Sequence, residues 1–247
     1  MGTADLHIHS TYSHDSSSTV SAILEWAASA TDLDIIAITD HDRVEGALEA
    51  QERAADYGIE VIPGVEVTCS EGHLLALFVS KPIPAHRPAL ETVLRIGEQG
   101  GLCVAAHPLA FLVHGINAAA LDGVLRDPDA AKILVGIESI NTGLWFPGSN
   151  ARARDLAERR RLAQTGSSDS HLFWTIGSGY TRFPGYTALD LRRALEQGAT
   201  EACSLTEKRT AGYYAGHLCH FGMRKLGWAT WAPTPHSDLV IRRLSSI

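Results

Sequence analysis

The sequence predicts an α/β protein whose strands form a closed or nearly closed parallel barrel. The first observation is an alternation of short, nearly continuous apolar runs with longer segments of helical periodicity, which is typical of parallel sheets covered by helices. The second is the number of strand and helix units, six or seven within about 200 residues, which fits a barrel better than an open sheet. The third is the composition, because 247 residues with 45% hydrophobic content can build one large core, so a single domain is expected.

The first half of the chain follows the order β-α-β-α-β. After a first strand that ends near His9, a helix begins with Ser18 or Thr19 as its N-cap. The remaining predicted elements of this half are a strand at 34–39 buried on both faces, a helix at 44–57 that ends at Gly58, and a strand at 59–67 broken by Pro63-Gly64.

The second half continues the alternation after one tight turn at Glu71-Gly72. The predicted elements are strands at 73–79, 102–107, 133–138 and 164–168, helices at 89–99, 117–126, 149–163 and 187–197, and a loop at 173–186. The tail departs from this pattern, because Ser204-Leu205-Thr206-Glu207 is a capping box and predicts a helix to about Lys225. We therefore expect a barrel domain at 1–203 and a C-terminal helical extension at 204–247 that packs on it.

Charge and cysteine usage exclude several classes of protein. The formal net charge of -7 argues against a protein that binds long nucleic acid through a broad basic surface. Cys69, Cys103, Cys203 and Cys219 are scattered without a Cys-x-x-Cys pair, as expected of reduced thiols. No apolar run approaches the roughly 18 residues that span a bilayer, and the N-terminus enters a strand at once, so a cytoplasmic protein without membrane attachment is expected.

Residues that could bind a metal ion stand at nearly every predicted strand end. They are His7 and His9, Asp40-His41, Glu66, His107, Asp169 and His171. In a parallel barrel the carboxyl ends of all strands meet at one rim, so these side chains would converge. His73 begins its strand, and it reaches the same rim if this strand runs antiparallel to its neighbour.

Each of these residues has an ordinary alternative as a loop residue or a helix cap. Asp40 in particular could cap the next helix, and we place it beside the site and not among the ligands. Ligand types at the ends of five predicted strands and, with His73, at the start of a sixth together favour a metal site. Imidazole and carboxylate ligands suit zinc, manganese or iron, and the ligands alone do not choose among them. His14, His86, His114, His217, His220 and His236 lack strand-end placement and are expected at the surface or around the site.

Five ordered motifs resemble those of the polymerase and histidinol phosphatase (PHP) family: Asp5-Leu6-His7-Ile8-His9-Ser10, Thr39-Asp40-His41-Asp42, Pro63-Gly64-Val65-Glu66, Ala106-His107-Pro108 and Ser168-Asp169-Ser170-His171. The resemblance runs from about residue 3 to residue 185. It implies a distorted seven-stranded (β/α)7 barrel of the TIM type, a trinuclear metal site and hydrolysis of phosphate esters.

The same resemblance implies how the ligands are divided among two to three divalent ions. The first ion would be bound by His7, His9, Glu66 and Asp169, the second by Glu66, His73 and His107, and the third by Asp15, His41 and His171. His14 competes with Asp15 for the third position, and the spacing favours Asp15. No Ser-His-Asp or Cys-His pair stands at these strand ends, so we expect attack by metal-bound hydroxide, with Asp169 as proton acceptor and His171 or His41 as proton donor to the leaving group.

The expected substrate is a small phosphate monoester, such as a nucleotide or a sugar or polyol phosphate. Only 33 residues separate His73 from His107, so the chain lacks the inserted subdomain that related nucleotide and oligonucleotide hydrolases can carry there. The alternatives are a phosphodiesterase or 5′-3′ exonuclease that acts on short oligonucleotides, and a catalytically silent metal-binding module. Arg43 and Arg182 are candidate phosphate contacts, with ordinary surface arginines as the alternative.

Overall fold

The computed structural model describes residues 1–110, 113–144 and 148–205. The strands in chain order are β1 (Gly2–Ile8), β2 (Ile35–Ile38), β3 (Glu60–Cys69), β4 (Gly72–Leu77), β5 (Leu102–Ala105), β6 (Leu134–Asn141), β7 (Ala163–Ser167), β8 (Gly179–Phe183) and β9 (Glu201–Ser204). The helices are α1 (Val20–Ala30), α2 (Glu45–Tyr57), α3 (Ala89–Glu98), α4 (Ala118–Leu125), α5 (Ala130–Ile133), α6 (Gly148–Arg160) and α7 (Ala188–Gln197), with a short 3-10 turn at Phe173–Thr175.

The nine strands form one sheet in the order β7-β6-β5-β4-β3-β2-β1-β8-β9. The pairs β1-β2, β2-β3, β5-β6 and β6-β7 are parallel. β4 is antiparallel to both β3 and β5, and Thr68 pairs with His73 in the first of these ladders. His73 therefore reaches the same rim, as the sequence predicted for a strand that reverses direction, and its Nδ1 lies 2.9 Å from Glu66 Oε1.

The sheet closes into a nearly complete barrel at a seam between β1 and the chain that follows β7. His9 N donates to Ser170 O at 2.8 Å, and Ser170 N donates to His7 O at 3.2 Å. Toward the amino end β8 lies between these strands, antiparallel to β1, and Thr181 Oγ1 lies 3.0 Å from Gly166 N on β7. The buried Asp5 carboxylate also crosses the seam, because its oxygens accept from Ser168 N at 3.0 Å and from Gly177 N at 2.9 Å.

The core has a layer inside the barrel and layers between the sheet and the helices. On β2, Ile35 and Ala37 pack inside with Leu6 and Phe183, whereas Ile36 and Ile38 pack against the apolar residues of α1 and α2. All four β2 residues are fully buried, which confirms the prediction that this strand is buried on both faces. Leu191 and Leu195 of α7 join the inner layer.

Several local predictions need correction. β3 is not broken at Pro63 and Gly64. Instead the strand changes its pairing partner there: residues up to Pro63 pair with β2, and residues from Gly64 onward pair with β4. The predicted loop at 173–186 contains the 3-10 turn and β8, and β9 follows α7. The sequence does not show these two short strands, since their pairing depends on partners distant in the chain.

The N-cap of α1 is Thr19, whose Oγ1 accepts from Ala22 N at 3.2 Å. The predicted C-terminal helix falls almost entirely outside the described residues, and Ser204, its expected cap, is the last residue of β9. Among the helices of the described ranges, none is long and apolar enough to cross a bilayer.

Candidate metal centre

One rim of the barrel gathers all nine of the side chains that the sequence assigned to metal binding. They come from the end of β1 and the loop after it, the end of β2, the middle of β3, the start of β4 and the segments after β5 and β7: His7, His9, Asp15, His41, Glu66, His73, His107, Asp169 and His171. The parallel strands deliver their carboxyl ends to this rim, and the reversed β4 delivers its first residues there.

Glu66 lies at the centre of the cluster and both of its oxygens face imidazoles. Glu66 Oε1 lies 2.9 Å from His73 Nδ1 and 3.0 Å from His107 Nε2. Glu66 Oε2 lies 3.2 Å from His7 Nε2, 3.3 Å from His9 Nε2 and 3.1 Å from His41 Nδ1. A carboxylate placed in this way can bind two ions with its two oxygens.

Asp169 faces the His7 and His9 side of the same cluster. Asp169 Oδ1 lies 3.5 Å from His7 Nε2 and 3.3 Å from His9 Nε2. Each of these two imidazoles therefore lies close to one carboxylate oxygen of Glu66 and to one of Asp169.

A second group of ligand atoms forms around Asp15. Asp15 Oδ2 lies 3.0 Å from His171 Nε2 and 3.3 Å from His41 Nε2. His14, the alternative from the sequence, is exposed, and its ring centre lies 5.4 Å from that of His41. The geometry therefore favours Asp15 over His14 as the carboxylate partner of His41 and His171.

Burial differs between these groups. The side chains of His7, His9 and Glu66 are completely buried, whereas those of His41, Asp15 and His171 are 14%, 19% and 21% exposed. The Asp15 group therefore forms the part of the cluster that a molecule from solvent meets first.

The cluster fits divalent cations better than it fits a set of hydrogen bonds. The buried atoms His7 Nε2, His9 Nε2, His73 Nδ1 and Glu66 Oε2 make no hydrogen bond, although each lies close to other ligand atoms. Unsatisfied buried polar atoms are costly, and a bound cation would satisfy them together. Imidazole nitrogen and carboxylate oxygen are ligands that zinc, manganese and iron accept.

The charges of the cluster shift the pKa values of its members in opposite directions. Burial by itself would lower the pKa of His41, but Glu66 and Asp15 outweigh it and raise that pKa to about 9. Burial would also lower the pKa of His7, but Asp169 and Glu66 outweigh it and raise that pKa. Burial would raise the pKa of Glu66, but the neighbouring His7 and His41 hold it well below its ordinary value. His9 differs, because burial and His171 lower its pKa to about 4.

Three residues next to the predicted ligands were not singled out from the sequence. Glu138 on β6 is fully buried and contacts His7, and Asn141 at the end of β6 contacts Asp169. Ser13 Oγ accepts from His41 N at 2.8 Å and lies 3.1 Å from His9 Nδ1. Glu138 was detectable, because it stands at the end of the predicted strand 133–138 and follows the same strand-end pattern as the ligands.

Asp40 and the two arginines take different positions. Asp40 accepts from Ser10 N and Ser10 Oγ, both at 2.6 Å, so its carboxylate supports the loop after β1. Arg43 lies two residues after His41, is exposed and pairs with Glu45 at 3.0 Å. Arg182 is not brought to the cluster, because it lies opposite Thr3 near the amino end of β1 and pairs with Glu201. This position does not support the expectation that Arg182 contacts a substrate.

Two of the predicted ligand residues have strained backbones. His107 and Asp169 have φ angles of 27° and 51°, in a region that residues with a Cβ rarely adopt. Such strain persists where the surrounding structure enforces it and is concentrated at functional sites.

Comparison with known proteins agrees with this arrangement. The PHP domain family matches residues 5–142, more than half of the chain, and the family described as PHP-associated matches residues 147–200. An uncharacterized protein from Methanocaldococcus jannaschii is 36% identical over 115 residues, which are 42% of this chain and 67% of that protein. A 3′,5′-nucleoside bisphosphate phosphatase from Chromobacterium violaceum is 35% identical over 126 residues, which are 51% of this chain and 44% of that protein, so the chain spans less than half of this relative.

A solved structure shares the fold. It is a two-domain protein from Bacteroides vulgatus that contains a predicted PHP-like metal-dependent phosphoesterase. Its TM-score is 0.63 at 21% identity, and the alignment covers 82% of this chain and 64% of that one. The family match, the shared barrel and the convergence of histidine and acidic side chains at its rim lead to one conclusion: the chain belongs to the PHP domain family.

Proposed function

We propose that the protein is a phosphatase that hydrolyses a small phosphate monoester, such as a nucleotide or a sugar or polyol phosphate. The observation that carries the proposal is the position of Glu66, whose two oxygens each face at least two imidazoles at 2.9–3.3 Å. This arrangement can bind adjacent ions at one point of a solvent-accessible rim.

The proposed ligand sets follow the distances from Glu66 and Asp15. A first ion is assigned to His7, His9, Glu66 and Asp169, and a second to Glu66, His73 and His107. A third is assigned to Asp15, His41 and His171, because the Nε2 atoms of both imidazoles lie within 3.3 Å of Asp15 Oδ2. Two to three ions of zinc, manganese or iron are expected, and the supply in the cell decides among them.

Adjacent divalent ions would lower the pKa of a bound water toward about 7 and stabilise the charge that develops on phosphorus. Side chains of the cluster would then accept and donate the protons of the reaction. Asp169, which lies next to His7 and His9, would accept the proton of the attacking water. His41 and His171 are partly exposed at the rim, where either can protonate the departing alkoxide.

Three observations support a small substrate. The net charge of -7 disfavours long polyanions. The connection from β4 to β5 contains only α3 and short loops, so no inserted domain covers the rim there. The relative from Chromobacterium violaceum is named as a phosphatase of a nucleoside bisphosphate. Arg43, next to the rim, is the remaining candidate for a phosphate contact.

Activity on three substrates, with manganese, zinc or iron added, tests the proposal. Faster hydrolysis of p-nitrophenyl phosphate than of its bis ester or of a short oligonucleotide is expected. A preference for the bis ester or the oligonucleotide would favour the phosphodiesterase or exonuclease alternative. Absence of turnover with every metal would favour the silent module.

Variants connect this activity to the cluster. Glu66→Gln should lose bound metal and activity, because it removes a central negative charge. Glu91→Gln is the matched control, since Glu91 lies on the exposed side of α3 and pairs with Arg95. Elemental analysis of purified protein should find more than one divalent ion per chain, and one ion or fewer would contradict the cluster.

A further inference from the structure

We propose that Glu138 and Asn141 are positioning residues, which fix the proton on His7 and the orientation of Asp169 before metal binds. Both residues lie on β6, outside the ligand set, and both are buried. The inference rests on the proposed metal centre, because it concerns how two of its ligands are held.

Glu138 determines which nitrogen of His7 is available as a ligand. Glu138 Oε1 lies 3.0 Å from His7 Nδ1. A carboxylate can only accept, so the His7 proton sits on Nδ1. His7 Nε2, which lies 3.2 Å from Glu66 Oε2, then keeps its lone pair directed into the cluster. A carboxylate behind a ligating histidine fixes the tautomer and makes the ligand nitrogen more basic.

The second oxygen of Glu138 holds another part of the rim. Glu138 Oε2 accepts from the backbone N of His107 at 2.7 Å and from Asn141 Nδ2 at 2.9 Å. The backbone of His107 is strained, with φ at 27°, and this hydrogen bond contributes to holding it there. One buried carboxylate therefore supports two proposed ligand residues.

Asn141 uses every hydrogen-bonding position of its side-chain amide. Its two Nδ2 protons go to Glu138 Oε2 and to Asp169 Oδ2, which is 3.0 Å away. Its Oδ1 accepts from the backbone N of Gly143 at 2.8 Å and of Leu144 at 3.1 Å. Asp169 Oδ2 is occupied in this way, so Oδ1 is the oxygen that faces His7 and His9.

The loop after β6 packs directly on Asp169. A Cβ added to Gly143 would lie 2.9 Å from the Cβ of Asp169 and 3.0 Å from its carbonyl oxygen. Only glycine permits this close approach. The Asp169 side chain is therefore held from one side by the loop and at one oxygen by Asn141.

The two positions require these residue types. In Glu138→Gln, the amide can accept on one side only, so its NH₂ group meets either the proton on His7 Nδ1 or the donors from His107 and Asn141. In Asn141→Asp, an acceptor replaces the shared donor, and carboxylate oxygens of residues 138, 141 and 169 face one another. Each substitution keeps the size of the side chain and removes at least one of its orienting hydrogen bonds.

Metal affinity, measured by competition with a chromogenic chelator for Zn²⁺, tests the inference. Glu138→Gln and Asn141→Asp should each bind the tightest ion about 10- to 100-fold more weakly than wild type. Excess Zn²⁺ should restore much of the lost turnover, which a purely structural defect would not allow. Val93→Ala, a core change on the outer side of the sheet, is the control for destabilisation and should leave metal affinity unchanged.

The outcomes are distinguishable. If wild type binds Zn²⁺ and both variants bind it within twofold of Val93→Ala, the positioning role is wrong although the metal centre stands. If wild type binds no divalent ion, the proposed function and this inference both fail. Should Glu138→Gln not fold, Asn141→Ala decides alone, because unchanged affinity in that variant overturns the role and weakened affinity supports it.

Discussion

Raising the pH from 7.5 to 10 should destabilise the metal-free protein through His41. The neighbouring carboxylates raise the pKa of His41 to about 9 from its ordinary value of 6.5. The folded state therefore binds this proton more tightly than the unfolded state, and the stabilisation is present at low pH and lost as the pH rises through 9. The full difference corresponds to about 3 kcal/mol, of which about 2 kcal/mol is still present at pH 7.5 and almost none at pH 10.

The measurement is urea unfolding of the chelator-treated protein at both pH values. Wild type should lose at least about 2 kcal/mol, because the pKa values of His7, His107 and His171 are raised as well and act in the same direction. His41→Gln should lose about 2 kcal/mol less than wild type, while His14→Gln, at an exposed imidazole nearby, should follow wild type. An equal loss in wild type and His41→Gln would refute the electrostatic argument.

Three further predictions test the chemistry and the core. Hydrolysis of a chiral thiophosphate ester should invert the configuration at phosphorus, because neither Ser170 nor Asp40 is free to act as a covalent nucleophile. Ser170 Oγ is buried and donates to Leu172 O at 2.7 Å, and the Asp40 carboxylate accepts from Ser10. Net retention would require a covalent intermediate. Arg43→Ala should raise KM for a phosphate monoester several-fold with little change in kcat, whereas Arg182→Ala should change neither constant. An equal effect of the two substitutions would contradict a phosphate contact at Arg43 alone. Phe183→Ala should lower the free energy of unfolding by about 3–5 kcal/mol in urea titrations, because Phe183 is a fully buried side chain of the inner layer. A loss under about 1 kcal/mol would mean that this layer is loosely packed.

Local patterns were sufficient to predict the barrel and the gathering of histidine and acidic side chains at its rim. The apolar run of β2 showed burial on both faces, and strand-end histidines and acids showed a common rim, because the geometry of a parallel barrel imposes it. Glu138 and Asn141 were missed, although Glu138 stands at the end of the predicted strand 133–138 and Asn141 only three residues beyond it, since their role depends on which atoms they contact across the barrel. The position of Arg182 could not be predicted for the same reason: a loop was expected where β8 forms, and pairing with β1 carries the residue toward the opposite end of the barrel.

The seam of the barrel links ion supply to the lifetime of the folded chain. His7 and His9 lie on one side of it and Asp169 and His171 on the other, joined by a short run of backbone hydrogen bonds. An ion bound by both sides would crosslink them and suppress local opening, by about 2.7 kcal/mol when its free concentration is a hundred times its dissociation constant. In a metal-starved cell the amides of this seam would exchange faster with solvent and the chain would be cleaved sooner by proteases, so the amount of protein would follow the supply of the ions it uses.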